Sequence, residues 1–255
     1  GIKRSDNYGY TFTDISMVNV PNSDLSYCLG LSGNNSAFDT THSNLIASSA
    51  SGKHVYLGGF KCYDVNGSNG ENDIGHFLIK SSDFGETLNF DLSASAINMV
   101  THNNSDLSFN SMIGSRHVSC SADGKYVICS VHGLTNVDDL NIVSATNSSA
   151  NWYPVLSRDY GTNWDLLDSK TFNDYHLLEN TDASFNTSNS LNNCVGTAVS
   201  KTGKYVACAF NSVASIPKPI MFYLSSDYGK TFDLKANLEI DDATYISNGL
   251  QITLS

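Results

Sequence analysis

The sequence predicts a single all-β domain built from four similar units, and three observations support this. One short motif, with a Ser at its first position, an Asp or Asn at its third and a Gly at its fifth, occurs four times at spacings of 76, 76 and 68 residues. A second motif, a glycine-containing turn, alternates with the first along the chain. No segment between these turns sustains the 3.6-residue apolar period of an amphipathic helix.

The first motif is an octapeptide of the form S-x-D-x-G-x-T-aromatic, and we call its copies the box turns (residues 5–12, 81–88, 157–164 and 225–232). The acidic or amide side chain can accept backbone N–H bonds within a turn, and Gly supplies a positive φ. Asn7 replaces the Asp in the first copy and keeps one acceptor oxygen. The predicted structural residues are Ser5, Asn7, Gly9, Ser81, Asp83, Gly85, Ser157, Asp159, Gly161, Ser225, Asp227 and Gly229.

The second motif places a Gly-Lys pair in a tight turn before an apolar or alternating strand. We call its three clear copies the inner turns (residues 49–54, 121–126 and 200–205), and a weaker copy covers residues 247–254. Each is predicted to join the two inner strands of one unit.

The order of the turns predicts a β-propeller with four blades of four antiparallel strands. The last inner hairpin, residues 242–255, is expected to pair with the N-terminal outer hairpin, residues 2–15, and so close the ring. The expected blades are 16–92, 93–168, 169–236, and 237–255 together with 1–15. The alternative is that the chain is a stretch of a larger ring of six or seven blades.

The box turns closely resemble the Asp box, or BNR repeat, of sialidase-like β-propellers. If the chain were an active sialidase, this resemblance would imply an arginine triad, a Tyr/Glu nucleophile pair, an Asp acid/base and an Arg-Ile-Pro motif. This chain has three arginines, Arg4, Arg116 and Arg158, and its Ile216-Pro217 lacks the arginine. The sequence therefore predicts a non-catalytic member without catalytic residues, with a glycosidase that uses two unidentified carboxylates as the less favoured alternative.

Composition and charge exclude several classes of partner. The chain carries 14 Lys and Arg against 25 Asp and Glu, a formal charge of −11, and its cations form no basic stripe. Nucleic acid and anionic lipid are therefore not expected as partners. No apolar run approaches the roughly 20 residues of a membrane helix. Because the chain begins at Gly1 without Met, we expect a processed form or an excised piece.

Five Asn-x-Ser/Thr sequons lie in stretches predicted to be loops, which suits glycosylation in a secretory compartment and an extracellular location. The glycosylation candidates are Asn34, Asn66, Asn103, Asn147 and Asn186.

Six cysteines are candidates for disulfides, because the separations 120/129 and 194/208 each span one hairpin. The alternative is that Cys129 and Cys208, at matching repeat positions, are small buried residues. No C-x-x-C pair indicates a zinc site. The six are Cys28, Cys62, Cys120, Cys129, Cys194 and Cys208.

Two groups of acidic residues are candidates for a structural calcium, although no cofactor is required. Asp24, Asp106 and Asp182 recur in an Asn-x-Asp-x-Ser-aromatic echo, which an Asx turn also explains. The loop from Asp64 to Asp73 has the oxygen density of a calcium site but departs from the EF-hand pattern. A solvated loop with a glycan on Asn66 is the favoured interpretation.

These features predict a secreted propeller that serves as a binding or assembly module, with protein subunits or glycans as partners and self-assembly included. A lectin-like sugar binder is the alternative. The long connections opposite the turns contain aromatic residues that suit such contacts: Tyr63, Trp152, Tyr153 and Tyr175.

Overall fold

A computed structural model describes ten stretches of the chain. They are residues 3–18, 46–58, 78–89, 97–98, 112–133, 152–167, 171–172, 194–211, 218–240 and 252–254. All regular structure within these stretches is β-strand, so they contain no helix of the length and apolarity that crossing a membrane requires. The predicted all-β class is confirmed.

The strands form three large sheets and one N-terminal hairpin. The hairpin consists of β1 (Lys3–Arg4) and β2 (Thr13–Asp14). The first sheet contains β3 (Ser16–Val18), β4 (Ile46–Ser48), β5 (Val55–Leu57), β6 (Ile79–Ser81) and β7 (Thr87–Asn89). The second contains β8 (Ile97–Asn98), β9 (Met112–Cys120), β10 (Val127–Gly133), β11 (Trp152–Ser157) and β12 (Trp164–Leu166). The third contains β13 (Cys194–Val199), β14 (Val206–Asn211), β15 (Lys218–Ser225) and β16 (Asp233–Ile240).

Each large sheet is a meander of four antiparallel strands, as predicted. The inner turn joins its first two strands and the box turn joins its last two. Both turns therefore lie at the same end of the sheet, where the box turn bonds to the inner turn through backbone atoms. In the third sheet the N–H of Tyr228 donates to the carbonyl of Lys204 at 3.0 Å, and the other two sheets repeat this bond.

A short parallel strand at the outer edge distinguishes the first two sheets from the predicted four-stranded blades. β3 pairs in parallel with β7, and β8 pairs in parallel with β12. A single parallel bridge between Phe172 and Phe232 repeats the arrangement on the third sheet. In each case the chain leaves one box hairpin and runs along the outer edge of the next sheet. This covers an edge that would otherwise expose unpaired N–H and C=O groups.

The core lies between neighbouring sheets, which pack face to face. Tyr56 and Leu78 of the first sheet pack with Trp164 of the second in one cluster. Ile128 of the second sheet packs with Val206 of the third in the next cluster. All six residues of β13 are buried, so both faces of this strand are covered.

The N-terminal hairpin sits beside the first sheet but pairs with no further strand among the described residues. The Arg4 guanidinium lies 3.4 Å from the Glu86 carboxylate of the first sheet's box turn. At the other end of the chain, Ile252 packs against Val195, Ala209 and Ile220 of the third sheet. The predicted pairing of the two chain ends is not among the described contacts, and the division into blades stays a prediction.

Candidate functional site

The four box turns share one hydrogen-bond network, seen clearly in the last copy. The Ser225 hydroxyl donates to Asp227 Oδ1 at 2.7 Å and accepts from the N–H of Gly229 at 2.9 Å. Asp227 Oδ1 also accepts from the N–H of Thr231 at 3.0 Å, and Oδ2 accepts from its hydroxyl at 2.7 Å. The carboxylate therefore ties both sides of the turn together, which is a structural role.

The first box turn forms the same network with an amide. Asn7 Oδ1 accepts from the Ser5 hydroxyl at 3.0 Å and from the N–H of Thr11 at 2.9 Å. The Asn7 Nδ2 group donates to the Thr11 hydroxyl at 2.7 Å, where an aspartate would accept. One acceptor oxygen is therefore sufficient to close the turn.

The box carboxylates make the protein sensitive to acid. Burial alone would raise the pKa of Asp227, but hydrogen bonds from Thr231, Ser225 and Lys230 lower it to about 2. A carboxyl with a lowered pKa contributes stability that is present above its unfolded pKa, near 4, and is lost as the pH falls toward 2. We predict that Asp227→Asn, which copies Asn7, folds at pH 7 and shows a smaller loss of Tm between pH 5 and pH 2.5 than the wild type. Equal losses in both proteins would contradict this.

The inner turns link the sheets to one another. In each turn the first serine hydroxyl accepts from the N–H five residues later, for example from Tyr126 to Ser121 at 3.0 Å. The N–H of Ala50 donates to the carbonyl of Ala122 at 2.8 Å, and the N–H of Ala122 donates to the carbonyl of Lys201 at 2.8 Å. The three inner turns are thus joined by backbone hydrogen bonds along one end of the molecule. We call the surface that the inner turns and the box turns form there the turn face.

An aromatic side chain projects from every box turn at the position after the Asp or Asn. These residues have a left-handed backbone, with φ between 58° and 64°, a conformation that costs roughly 1–2 kcal/mol outside glycine. Three of them are 51%, 41% and 39% exposed and the first is fully exposed. In chain order they are Tyr8, Phe84, Tyr160 and Tyr228. Four large rings at a position that glycine or asparagine would occupy at lower cost indicate a use on the surface.

Ring pairs close the boundaries between neighbouring sheets on this face. His54 packs against Tyr160 in a tilted arrangement with centroids 4.9 Å apart, and we call this pair the first seam. Tyr126 packs against Tyr228 in the same way with centroids 5.3 Å apart, and this is the second seam. One ring in each seam comes from an inner turn and the other from the box turn of the following sheet. The pairs contribute to packing and still leave ring surface in contact with solvent.

The N-terminal hairpin exposes the side chains that the other units bury. Phe12 is 59% exposed, whereas Leu88, Trp164 and Phe232, at the same position of the other box turns, are at most 1% exposed. Tyr205 occupies the third inner turn at the position of His54 and Tyr126 and is also exposed. The N-terminal hairpin therefore exposes apolar surface that the other units bury.

The described arginines make structural contacts. Arg158 forms an ion pair with Asp165, and its Nε and Nη2 donate to the carbonyls of Tyr228 and Gly229. Arg4 pairs with Glu86. Both arginines therefore bind to neighbouring turns.

Cys120, Cys129, Cys194 and Cys208, the described disulfide candidates, are free thiols in this structure. Cys120 lies opposite Val127, so the hairpin of the second sheet does not align Cys120 with Cys129. Cys194 and Cys208 are neighbours, because their two side chains share a hydrogen bond. The disulfide assignment stays a prediction. Burial raises the pKa of Cys120 to about 12 and raises the pKa values of Cys129 and Cys208 as well.

Several sequence predictions fall outside the described residues. These are all five sequons (Asn34, Asn66, Asn103, Asn147 and Asn186), the acidic candidates Asp24, Asp64, Asp73, Asp106 and Asp182, and the cysteines Cys28 and Cys62. In the stretches that are described, no group of three or more His, Cys, Asp or Glu side chains could hold a metal ion. The calcium hypothesis stays a prediction.

Two features of the site were not predicted. The aromatic position of the box turn was visible in all four copies, but its outward direction depends on the left-handed backbone. The second feature is His117, a fully buried residue of β9 with a φ of 57°. Its carbonyl accepts from the Thr197 hydroxyl of the third sheet, so this strained point joins the innermost strands of two sheets.

No protein-family model matches the chain, and no curated protein matches it. Among solved structures, an ancestral GH74 enzyme is similar at 12% identity and a TM-score of 0.40, over 78% of this chain and 20% of that one. The GH74 xyloglucanase from Xanthomonas campestris is similar at 11% identity and a TM-score of 0.40, over 94% of this chain and 27% of that one.

A family 117 glycoside hydrolase from the marine bacterium Zobellia galactanivorans is similar at 8% identity and a TM-score of 0.39, over 80% of this chain and 58% of that one. The chain thus spans between a fifth and three fifths of these structures. The expectation that the chain is not an enzyme is contradicted by this comparison, since all three are glycoside hydrolases or GH74 enzymes by description. That expectation is given up, and no catalytic residue is carried over from these proteins.

Proposed function

We propose that this chain is an Asp-box β-propeller, closed into a ring of four blades, that binds carbohydrate on its turn face. The observation that carries the proposal is the outward aromatic ring of every box turn, held in a left-handed backbone. A turn that needed only a positive φ would use glycine or asparagine. The rings instead form a repeated apolar surface at the seams.

Carbohydrate suits this surface because a sugar ring has apolar C–H faces that stack on aromatic rings, while its hydroxyls bond to polar groups at the edge. An aromatic contact adds roughly 0.5–1.5 kcal/mol beyond its buried area. At the second seam, Lys204, whose carbonyl accepts from the N–H of Tyr228, and Lys230 of the same box turn have ammonium groups that can donate to the hydroxyls. The site is therefore an open platform rather than a closed pocket.

Closure of the ring is supported by contacts that repeat from one unit to the next. Leu156, which precedes the second sheet's box serine, would contact a Cβ at Gly229 of the third sheet. Lys80, at the same position in the first sheet, donates to the carbonyl of Gly161 at 3.4 Å. Arg4 holds this position in the N-terminal hairpin and lies beside Gly85. The hairpin therefore stands before the first sheet as each sheet stands before the next, which is the relation a fourth blade requires.

The same repeat predicts a ring contact between the third sheet and the N-terminal hairpin. The third inner turn would place Tyr205 on Tyr8, as Tyr126 lies on Tyr228. Residues 242–255 would supply the inner strands of the fourth blade. We also propose that the protein is secreted and glycosylated, because its five sequons fall in the long connections between the repeated turns.

The carbohydrate site is tested with a glycan array of neutral and acidic oligosaccharides, followed by calorimetry on the best ligand. We predict that Tyr228→Ala weakens binding about three- to tenfold, because it removes one stacking contact. Leu238→Ala is the matched control, since Leu238 is an exposed apolar residue on β16 at a distance from the turns, and its affinity should not change.

Two outcomes would contradict this site: no saccharide bound across the array, or equal weakening by Tyr228→Ala and Leu238→Ala. The same incubations should be analysed for new reducing ends. Release of sugar would show turnover in addition to binding, and the Tyr228→Ala variant would then separate substrate affinity (KM) from the rate of the bound complex (kcat).

A further inference from the structure

The charges of this chain are unevenly distributed between the repeated scaffold and its other segments. Although the formal charge is −11, Lys61 and Lys170 are the only Lys and Arg residues outside the described stretches. Fewer than half of the acidic residues lie within those stretches. The turn-bearing part of the molecule is therefore its cationic part.

Lysines are concentrated where the second seam is exposed. Three turns meet there: the second inner turn, the third inner turn, and the box turn of the third sheet. Their backbones are joined, because Ala122 donates to the carbonyl of Lys201 at 2.8 Å and Tyr228 donates to the carbonyl of Lys204 at 3.0 Å. The lysines of these three turns are Lys125, Lys201, Lys204 and Lys230.

Two of these four ammonium groups lie beside aromatic rings. The Lys125 Nζ lies 5.5 Å from the centroid of the Tyr126 ring, and the Lys204 Nζ lies 5.4 Å from the centroid of the Tyr205 ring. Within the described part of the chain, none of the four lysines forms an ion pair with a carboxylate. Their charge is therefore available to a ligand.

The carboxylates of the same turns are directed into the turns themselves. Asp123 Oδ1 accepts from the Ser121 hydroxyl and from the N–H of Lys125 at 3.0 Å. Asp227 is held by Ser225, Lys230 and Thr231. Four lysines against two engaged carboxylates leave this seam with a net positive charge. The equivalent three turns at the first seam carry Lys53, Lys125 and Arg158 against Asp123 and Asp159, and Arg158 is paired with Asp165, so the first seam has less free positive charge.

We infer that the second seam binds an acidic saccharide, whose sugar ring stacks on Tyr228 while its carboxylate or sulfate group is held by Lys204 and Lys230. This inference rests on the proposed carbohydrate site and specifies the class of its ligand. Lysine suits the role because its ammonium is a mobile point charge that can meet an anion in several orientations. A neutral sugar would receive only the stacking contact.

The test compares two tetrasaccharides of equal length by calorimetry, a tetramer of galacturonic acid and a neutral tetramer of galactose, with a sulfated oligosaccharide as a third probe. We predict at least tenfold tighter binding of an anionic probe at 50 mM NaCl and weaker binding at 300 mM NaCl, because salt screens exposed charges. Lys204→Gln and Lys230→Gln should each weaken anionic binding about threefold, in line with exposed ion pairs.

Lys53→Gln is the matched control, since it removes the lysine of the equivalent inner turn at the first seam, and anionic binding should stay within twofold. All three positions are exposed, so the Tm of each variant should equal that of the wild type. Equal affinity for neutral and anionic probes, with loss of both in Tyr228→Ala, would overturn the acidic specificity and leave the carbohydrate site intact. Failure of all probes and of the glycan array would overturn both.

Discussion

Replacing Gly203 with alanine is expected to destabilise the protein by about 2–5 kcal/mol. Gly203 has a φ of 76°, so any side chain pays roughly 1–2 kcal/mol for the left-handed backbone. The new Cβ would lie 2.1 Å from Cδ2 of Tyr126 and 2.5 Å from its Cγ. Because Tyr126 packs against Tyr228, its ring cannot move without opening the second seam, which adds about 1–3 kcal/mol of overpacking.

Gly52→Ala is the control for the free-energy cost of placing a side chain on a left-handed backbone. Gly52 has the same φ of 76° in the first inner turn, and nothing lies within 4 Å of its Cβ position. Urea unfolding at constant m-value should show the larger loss for Gly203→Ala. Equal losses in the two variants would show that the seam does not constrain Tyr126.

Phe12→Ala is expected to cost about 3 kcal/mol, on the order of 10 °C in Tm, if the fourth blade is completed as proposed. Phe12 occupies the position of Phe232, which is fully buried and stacks on Phe172 with centroids 4.7 Å apart. Removing a buried phenylalanine costs roughly 3–5 kcal/mol. Phe232→Ala in the third sheet is therefore the reference variant for a completed blade.

The result that would contradict closure is also clear. With the exposure of 59% that the described hairpin shows, Phe12→Ala would change the free energy of unfolding by no more than about 0.5 kcal/mol. A loss near that value, beside a large loss for Phe232→Ala, would mean that residues 242–255 do not cover the hairpin. The chain would then expose half a blade to another partner.

The turns of this fold were predictable from the sequence because their chemistry is local. Ser225, Asp227, Gly229 and Thr231 bond to one another within eight residues, so the octapeptide by itself specifies the network. The same holds for Asn7, whose one oxygen suffices as predicted. Four copies of a local turn, alternating with a second local turn, also predict the four-strand meander of each sheet.

The outer parallel strands could not be predicted in this way. β8 has two residues and pairs with β12 at the outer edge of the second sheet. Its sequence, Ile97-Asn98, has no pattern that would predict this pairing. Such a pairing exists because the covering of an exposed edge is favourable, and this depends on where the next sheet lies. The neighbours of each cysteine could not be predicted for a related reason, because strand register, set by the whole hairpin, places Cys120 opposite Val127 and Cys208 opposite Thr197.

The sequence by itself determined the all-β class, the repeat and the chemistry of each turn, since these depend on residues that are neighbours in the chain. Only the tertiary structure decided which rings meet at the seams and which cations gather there. Tyr126 and Tyr228 are about 100 residues apart, and nothing in either segment specifies the other until the second and third sheets pack. The candidate site is a property of that packing, because each seam takes one ring and its lysines from two different units.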